Sequence, residues 1–371
     1  MSGSFCINEV NQERRIFMPK MDDAQKAAKI NSLQEELTSL IGAVRMETDS
    51  KKKRKLIAKI GEYNRQIDTM KSGKILSRET KRDLVAYSFI APNFIGFCVF
   101  TLIPIIFAFA LAFMKWDGSN PIQWAGIGNF TRLTDDIFFR AALKNTIIYC
   151  IGTVPLTMIA SLALAIILNQ KVIGRGIFRT LSFFPYVASL VAITAVWKML
   201  FHPSKGPINN LLFNVFKVSQ ENLPQWFSGG LVILSMILFS VWKYMGYYMV
   251  IYLAGLQGIS AELYEAASLD GANTWQKFRY ITWPQLSSTT FFVVVMLTIN
   301  CFKVYDIAIM LAGGGSGELT TSATVLVYYI YQKAFIDWDL GYSSAVAMVL
   351  FVMVLVVTVI QFRGQAKRER A

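Results

Sequence analysis

Six long apolar runs constrain this chain more than any other feature of its sequence. Each is about as long as the roughly 20 helical residues that cross the hydrocarbon layer of a bilayer. None alternates between polar and apolar residues as the strands of a membrane barrel do, so we expect helices. The runs lie at about Val85–Phe113, Lys144–Leu168, Ile177–Phe201, Leu231–Ala254, Thr289–Leu311 and Ser343–Phe362. The sequence therefore predicts an all-α, polytopic membrane protein with six transmembrane helices.

Composition and charge agree with a membrane setting. Hydrophobic residues make up 54% of the 371 residues and charged residues only 16%, whereas about a quarter of a soluble domain is charged. The formal net charge of +13 accompanies these apolar runs, so it does not by itself indicate nucleic-acid binding. We expect contact with membrane lipid and no nucleic-acid partner.

The distribution of Lys and Arg sets the expected orientation. The basic residues closest to the predicted spans lie mostly in segments on the same side as both termini. Because positive charge is retained in the cytoplasm, we expect both termini and the polar loop 255–287 to be cytoplasmic. The long polar segment ahead of Val85 is unlike a cleavable signal peptide. The four cysteines form no disulfide framework and are expected to be free thiols.

The polar segment divides into an expected disordered tail at 1–21 and an expected cytoplasmic, coiled-coil-like helical hairpin at 22–73, ahead of a membrane domain at 74–371. Apolar residues recur there every three or four positions in two stretches. They are Ile30, Leu33, Leu37, Leu40 and Val44, then Leu56, Ile60, Tyr63, Ile67 and Met70. Ser50 is a candidate cap for the second helix. A single long helix and a partly folded tail are the alternatives. The basic run Lys51–Lys55 at the expected tip is either a solvated charge run or a contact for anionic lipid or an acidic partner.

The loop between the fourth and fifth runs carries the local signals of two short helices. Ser260 is a candidate N-cap for a first helix, which Gly271 ends in the left-handed conformation. Asn273 and Gln276 have the spacing of a second cap. Pro284 suits the first turn of the next membrane helix, where its missing N–H costs nothing. We therefore expect a helix–turn–helix beneath the membrane.

The surface of this loop is suited to docking. Ala266 and Ala267 are small enough to enter a groove, and Glu265 offers a charge to an arginine or a backbone N–H of a partner. Any interfacial loop that docks would show the same pattern. The residues alone thus indicate a partner site without identifying the partner.

The stretch Tyr264–Ala272, followed by Trp275–Pro284, resembles the EAA signature of the permease subunits of binding-protein-dependent ABC importers. Trp283 stands where that family usually has leucine, a difference that affects only local packing. In the family, this loop is a coupling helix seated in a cleft of the ATPase subunit. The resemblance assigns that role to Glu265, Ala266, Ala267, Asp270, Gly271, Ile281 and Pro284.

Further stretches resemble the maltose-type sugar branch of the family, and the similarity extends over about residues 85–362. They are Gly126–Phe130, Ala142–Thr146, Phe178–Pro185, Gly206–Asn209, Phe302–Asp306 and Gly313–Gly315. The N-terminal hairpin is not part of the core family pattern, so the resemblance implies nothing about it.

The resemblance implies a heteromeric importer of the bacterial or archaeal cytoplasmic membrane. Two ATPase subunits bind beneath a pair of permeases, by family habit a heterodimer, and an extracellular binding protein delivers the solute. This chain has no Gly-x4-Gly-Lys-Ser/Thr loop to hold phosphate, so ATP and Mg are expected on the partner ATPase and no cofactor on this chain. Its single histidine, His202, lacks companions for catalysis or metal binding. We expect a transport subunit, not an enzyme.

Polar side chains in the fourth and fifth predicted spans are candidates for the solute pathway. Such groups are costly in hydrocarbon and usually face protein or a water-filled pathway, and sugars are bound by aromatic faces, hydroxyls and amides. The candidates are Tyr247, Tyr248, Asn300, Lys303, Tyr305 and Asp306. Lys303 and Asp306 are three positions apart on one helical face and could neutralise each other. The alternatives are a purely structural pair and an interfacial tyrosine belt, and Lys243 is likewise structural or part of the pathway.

Three other functions compete with a sugar or oligosaccharide importer. A polar non-sugar such as a glycerol phosphate would favour a pathway with more cations than Lys243 and Lys303. A membrane-anchored scaffold would use the spans only as an anchor, and six are excessive for that. An integral membrane enzyme would need clustered His, Asp or Glu at the membrane face, and the sequence shows no such cluster.

Overall fold

The computed structural model describes residues 23–47, 49–72, 78–170, 173–313 and 321–368. The expected tail at 1–21 lies outside these ranges, as do Gly314 and Gly315. The described residues are mostly helical, with one two-stranded sheet. The chain divides into two units, and the boundary falls between Ile103 and Pro104.

Two helices of the first unit pack against each other. They are α1 (Asp23–Met46) and α2 (Ser50–Ser72). Leu33 and Ile67, one from each apolar stretch, are buried.

The start of α2 differs from the expected cap. The carboxylate of Asp49 accepts a hydrogen bond from the backbone N–H of Lys51 at 2.8 Å. Ser50 is the first helical residue, so the N-cap is Asp49 and the expectation for Ser50 is wrong. A carboxylate serves better here because it also complements the positive end of the helix dipole.

The remaining elements are mostly helices joined by loops. They are α3 (Arg78–Phe97), a π-helical turn (Cys98–Leu102), α4 (Ile103–Leu111), β1 (Met114–Lys115), β2 (Gln123–Trp124), α5 (Gly128–Asp135), α6 (Ile137–Asn169), α7 (Arg175–Val187), α8 (Leu190–Leu200), α9 (Pro207–Asn214), two 3-10 turns (Gln220–Asn222 and Gly229–Leu231), α10 (Val232–Gln257), α11 (Ala261–Leu269), α12 (Thr274–Lys277), a π-helical turn (Phe278–Thr282), α13 (Trp283–Gln285), α14 (Ser287–Phe302), α15 (Asp306–Ala312), α16 (Leu326–Tyr331), a π-helical turn (Gln332–Ile336) and α17 (Leu340–Arg368). The two strands pair antiparallel, with Met114 opposite Trp124.

Within the described ranges, four helical stretches are long and apolar enough to cross a membrane. They are Val85–Leu111, Ile137–Asn169, Gly229–Gln257 and Leu340–Ala366. The number rises to six if each of two bent helix pairs is one span. The apolar helices fit a multi-pass membrane protein, and the count of six stays a prediction.

Two of the expected spans are not continuous helices. The third consists of α7 and α8, which meet at an angle of 97°. The stretch that contains the fifth is bent by 66° ahead of α14, and α14 ends at Phe302, well before the expected end at Leu311. An apolar run in the sequence indicates that a segment is buried in lipid or protein, but it does not predict where the helix breaks.

Helix α10 is held by contacts with α6, α7 and α14. It lies very close to α6, since a Cβ atom on Gly152 would be 2.6 Å from Cδ1 of Ile237. At the same interface the hydroxyls of Tyr149 and Ser240 form a hydrogen bond of 2.7 Å. Both side chains are buried, so each satisfies the other's polar group. The candidate cavity described below lies along this well-fixed helix.

Asp136 ties the start of α6 to two tyrosines. Its Oδ1 accepts from the backbone N–H groups of Phe138 at 2.8 Å and Phe139 at 3.1 Å, as an N-cap does. Its Oδ2 accepts from the hydroxyls of Tyr329 and Tyr342. Burial alone would raise the pKa of this carboxyl, but the hydrogen bonds from the two tyrosines and the two N–H groups outweigh burial and lower the pKa.

We expect Asp136→Asn to lower the thermal unfolding temperature of the detergent-solubilised protein at neutral pH. The amide is a poorer acceptor for four donors, and the loss should be about 1 kcal/mol for a partly exposed group. Because the pKa is lower in the folded than in the unfolded state, this stabilisation is lost as the pH falls through the folded-state pKa. The difference between variant and wild type should therefore shrink on acidification. The matched control is Asp135→Asn, an exposed neighbour, and equal unfolding temperatures at neutral pH would contradict the assignment.

Candidate functional site

The first half of the polar loop folds as the sequence predicts. Helix α11 begins after Ser260, whose hydroxyl accepts from the backbone N–H of Glu262 at 3.3 Å. The chain then reverses at Gly271, which has a φ of +77°. An L-residue with a side chain rarely adopts this conformation, so glycine is required there. The predicted cap and the predicted left-handed stop are both confirmed.

The second half contains the predicted capping box. The backbone N–H of Asn273 donates to the side chain of Gln276 at 2.7 Å, and the backbone N–H of Gln276 donates to the side chain of Asn273 at 2.9 Å. Pro284 differs from expectation. It lies in the short α13, which the bend at Leu286 separates from α14, and not in the first turn of the membrane helix.

Side-chain contacts hold the two halves of the loop together. The hydroxyls of Tyr264 and Thr282 form a hydrogen bond of 2.9 Å. The ammonium group of Lys277 donates to the hydroxyl of Ser268 at 2.7 Å. Both contacts cross the turn at Gly271, so the loop presents a defined surface instead of a flexible tether.

Most of the residues assigned to docking by resemblance are accessible. Glu265, Ala266, Asp270, Gly271 and Pro284 are exposed, and Ala267 and Ile281 are half-buried.

Three large apolar side chains of the same loop were not singled out from the sequence. Leu269 is 89% exposed, Tyr280 74% and Trp275 68%. Exposed apolar groups that cluster within a rim of polar residues are typical of protein interaction sites.

A second feature is a cavity of about 500 Å³ between helices of the second unit. Its walls come from α6, from both sides of the break between α7 and α8, from α10, and from the region where α14 ends and α15 begins. The lining residues are Tyr149, Tyr186, Leu190, Lys243, Tyr244, Tyr248, Leu297, Asn300, Cys301, Lys303, Val304, Tyr305, Asp306 and Ile307.

The cavity brings together five of the six residues that the sequence suggested for a solute pathway. Tyr248 and Asn300 meet there, with the amide of Asn300 donating to the Tyr248 hydroxyl at 3.3 Å. Tyr247 does not line the cavity, but its ring stacks on Tyr186 with 4.4 Å between ring centroids. Tyr186 was missed, because in the sequence it is one aromatic residue within an apolar run. The only hint was the neighbouring Pro185, since proline inside a helix often marks a bend.

Lys303 and Asp306 do not share a helical face. Lys303 follows the last residue of α14, and Asp306 is the first residue of α15. Tyr305, between them, has φ −142° and ψ −62°, which breaks the helix. Both charged side chains are exposed and line the cavity. The expectation of a neutralising pair on one helix is therefore wrong, because α14 ends at Phe302, ahead of both residues.

Lys243 has backbone partners. Its ammonium group donates to the carbonyl oxygens of Pro185 at 3.2 Å and Tyr186 at 3.4 Å. Only 8% of the residue is exposed. These contacts leave Lys303 as the cation with no hydrogen bond or ion pair among the described residues that line the cavity.

The chemistry of the lining suits a solute with many hydroxyl groups. Tyrosine rings offer flat apolar faces, while phenol hydroxyls, one amide and charged groups of both signs offer donors and acceptors.

Among the described residues no cluster of His, Cys, Asp and Glu is arranged to hold a metal ion. His202 has a local role, since its Nδ1 accepts from the backbone N–H groups of Ser204 and Lys205.

Comparisons with known proteins bear on both features. A family model described as binding-protein-dependent transport system inner membrane component matches residues 158–363. The chain is 37% identical over 301 residues to the probable ABC transporter permease protein YesP of Bacillus subtilis, which covers 80% of this chain and 94% of that protein. It is 30% identical over 298 residues to the arabinooligosaccharides transport system permease protein AraP of Halalkalibacterium halodurans, covering 80% and 92% of the two chains.

A solved structure has the same fold. One chain in the crystal structure of a bacterial ABC transporter involved in the import of the acidic polysaccharide alginate matches with a TM-score of 0.67 and 24% identity. The match covers 78% of this chain and 98% of that one. At this identity the likeness concerns the fold alone.

Proposed function

This chain belongs to the family of binding-protein-dependent transport system inner membrane components, and from that premise we propose that it is the membrane-spanning permease subunit of an ATP-driven importer for a sugar or oligosaccharide. An ABC importer permease forms the pathway through the membrane, while its partner ATPases hydrolyse ATP. Here the cavity beside α10 is proposed as part of that pathway, and the loop between α10 and α14 as the ATPase contact.

The observation that carries the proposal is the loop surface. Two capped helices braced by side-chain hydrogen bonds present Glu265, Leu269 and Trp275 to solvent. A monomeric protein gains nothing from exposing a leucine and a tryptophan on one polar loop, whereas a docked partner would bury them. We propose that an ATPase cleft receives this surface, with Ala266 and Gly271 allowing close approach and Asp270, Ala267, Ile281 and Pro284 shaping its edges.

The proposed coupling is mechanical. The loop is continuous with α10 on one side and leads into α14 on the other, and both helices line the cavity. At the base of the loop a Cβ atom on Gly255 would lie 2.7 Å from Oγ1 of Thr289 and 3.0 Å from Cδ2 of Leu286. Helices this closely packed move together. A shift of the loop by the ATPases would therefore reach both cavity walls at once, changing the side on which the cavity opens.

The solute class rests on the cavity and on the relatives. AraP is named for arabinooligosaccharides, and the tyrosine-rich lining described above suits a neutral, hydroxyl-rich molecule. The second candidate, a glycerol phosphate, would place a dianion beside Asp306, with Lys303 as the cation free to meet it. A single free cation does not offset the repulsion between the phosphate dianion and the Asp306 carboxylate, so the charges of the lining favour a neutral sugar.

The proposed assembly is heteromeric. A second permease of the same family forms a heterodimer with this chain, two ATPases carry ATP and Mg, and an extracellular binding protein delivers the solute. Both termini and the loop then face the cytoplasm of a bacterial or archaeal cell, in agreement with the distribution of basic residues. The residues at 22–73 form a separate cytoplasmic hairpin outside this machinery.

The test is the composition of the purified complex. The tagged chain is co-expressed with its cognate permease, ATPase and binding protein, extracted in mild detergent and analysed by native mass spectrometry. The proposal expects one copy of this chain, one second permease and two ATPases. A truncated chain that lacks residues 1–72 should give the same complex. Purification without the ATPase would contradict the proposal, and loss of the ATPase only from the truncated chain would move the contact to the hairpin.

A further inference from the structure

The break between α7 and α8 leaves backbone carbonyls without helical partners. Helix α7 ends at Val187, and Ala188 is extended, with φ −62° and ψ 148°. The chain then turns by 97° into α8. The last carbonyls of a helix have no intrahelical N–H to accept from, and in a membrane helix no bulk water replaces it. The group that donates hydrogen bonds to these carbonyls therefore also holds the bend between α7 and α8 in place.

Lys243 of α10 supplies the missing donors. Its ammonium group lies 3.2 Å from the carbonyl oxygen of Pro185 and 3.4 Å from that of Tyr186. Both belong to the last turn of α7, where the helix dipole also favours a positive charge. The chain therefore places a buried cation at the negative end of a broken membrane helix, and a bound solute is not needed to account for it.

Two further contacts join the same turns of α10 and α7. The first contact is between the backbones of the two helices at Gly246. A Cβ atom there would lie 1.7 Å from the carbonyl oxygen of Ser182, so only glycine fits. One ring pair then extends the contact, because Tyr247 stacks on Tyr186 at 4.4 Å between centroids. Lys243, Gly246 and Tyr247 lie within about one helical turn of each other. Together they form a clamp on the end of α7.

We infer that Lys243 is a positioning residue that fixes the bend between α7 and α8, and through it sets the cavity wall formed by Tyr186 and Leu190. Both of these residues line the cavity and flank the break. The expected effect of Lys243 on transport rests on the proposed function. The contacts that hold the bend do not depend on it. Lys243 acts on the solute through the backbone of α7 and not by contact with it.

The experiment measures the geometry of the clamp directly. Tyr186→Cys and Tyr247→Cys are combined in a chain whose native cysteines are replaced by alanine, and the assembled complex is treated with a short bifunctional thiol reagent. Lys243→Met, which keeps the length of the side chain but removes its donors, should lower the cross-linking yield at least threefold. Lys243→Arg, which keeps a cation and its donors, should retain most of the yield. Ser235→Ala, at another buried position of α10, is the control and should leave the yield unchanged.

Transport is measured in the chain with its native tyrosines. Lys243→Met should lower the maximal rate of uptake at least fivefold and leave the half-saturating concentration of solute-loaded binding protein within twofold, and Lys243→Arg should restore the rate. An unchanged cross-linking yield in Lys243→Met would overturn the inference. A changed selectivity among sugars in both Lys243 variants, with normal cross-linking, would show that Lys243 contacts the solute instead.

If Lys243→Met does not assemble, Lys243→Gln is measured in the same way, since its amide keeps two N–H donors without the charge. An intermediate yield supports the clamp, and a wild-type yield with a lowered uptake rate overturns it. The cross-linking result does not depend on uptake. Failure of the proposed function would abolish uptake in the wild type and leave the cross-linking pattern intact, so the two failures are distinguishable.

Discussion

Leu269→Asp should release the ATPase from the purified complex. Leu269 is 89% exposed on the loop between α10 and α14, and an ATPase cleft that receives the loop would bury it. Replacing a buried interface leucine by a carboxylate removes apolar contact and adds an unpaired charge, a loss of at least about 2 kcal/mol, or roughly thirtyfold in affinity. Retention of the ATPase on the immobilised permease pair, measured against ATPase concentration, gives this number.

The matched control for Leu269→Asp is Ile173→Asp. Ile173 is 97% exposed, lies between the second and third apolar runs on the side predicted to be cytoplasmic, and is outside the loop. The same change of an exposed aliphatic side chain should leave ATPase retention within twofold of wild type. Equal retention by Leu269→Asp and wild type would show that the loop surface is not the contact, whatever the effect of the control.

Asn300→Leu should abolish most solute-dependent uptake without affecting ATPase retention. The Asn300 side chain is exposed to the cavity and donates to the Tyr248 hydroxyl at 3.3 Å. Leucine of similar size removes the amide and leaves both the tyrosine hydroxyl and the solute without a partner. A loss of about 1–3 kcal/mol in binding corresponds to a reduction in the rate at low solute concentration of roughly fivefold to 150-fold. This reduction is measured as the rate of solute uptake by Asn300→Leu and wild type in proteoliposomes loaded with ATP.

Asn210→Leu provides the comparison for the cavity variant. Asn210 is an exposed residue of α9 outside the cavity, so uptake should stay within twofold of wild type. If Asn300→Leu transports normally, the cavity is not on the solute pathway. If it loses the ATPase as well, the change has disturbed the fold, and the milder Tyr248→Phe is measured in its place.

The loop was predictable because its structure is local. The capping box of Asn273 and Gln276 and the left-handed turn at Gly271 depend on residues within three or four positions of each other, and no distant contact competes with them. Asp49 shows the limit of such reasoning: two adjacent residues were both able to cap α2, and the carboxylate does so.

The cavity was only partly predictable because its walls depend on where membrane helices break. Asn300 and Tyr248 were found because polar groups in apolar runs rarely face lipid. The bend of 97° that exposes Tyr186 is determined by Lys243 and Gly246, which lie more than fifty positions away in the sequence. The prediction that Lys303 pairs with Asp306 was wrong for the same reason, because it required a continuous helix across Tyr305.

The most direct test of the account is ATP-driven uptake by the complete complex in proteoliposomes. Labelled pentose and hexose oligosaccharides and labelled glycerol 3-phosphate are each supplied with the binding protein outside and ATP inside, and a complex with a hydrolysis-deficient ATPase is the blank. At least one oligosaccharide should accumulate only with the active ATPase, and glycerol 3-phosphate should not accumulate. Accumulation of glycerol 3-phosphate alone would contradict the solute class, and no ATP-dependent accumulation of any solute that the binding protein binds would contradict the assignment as an importer.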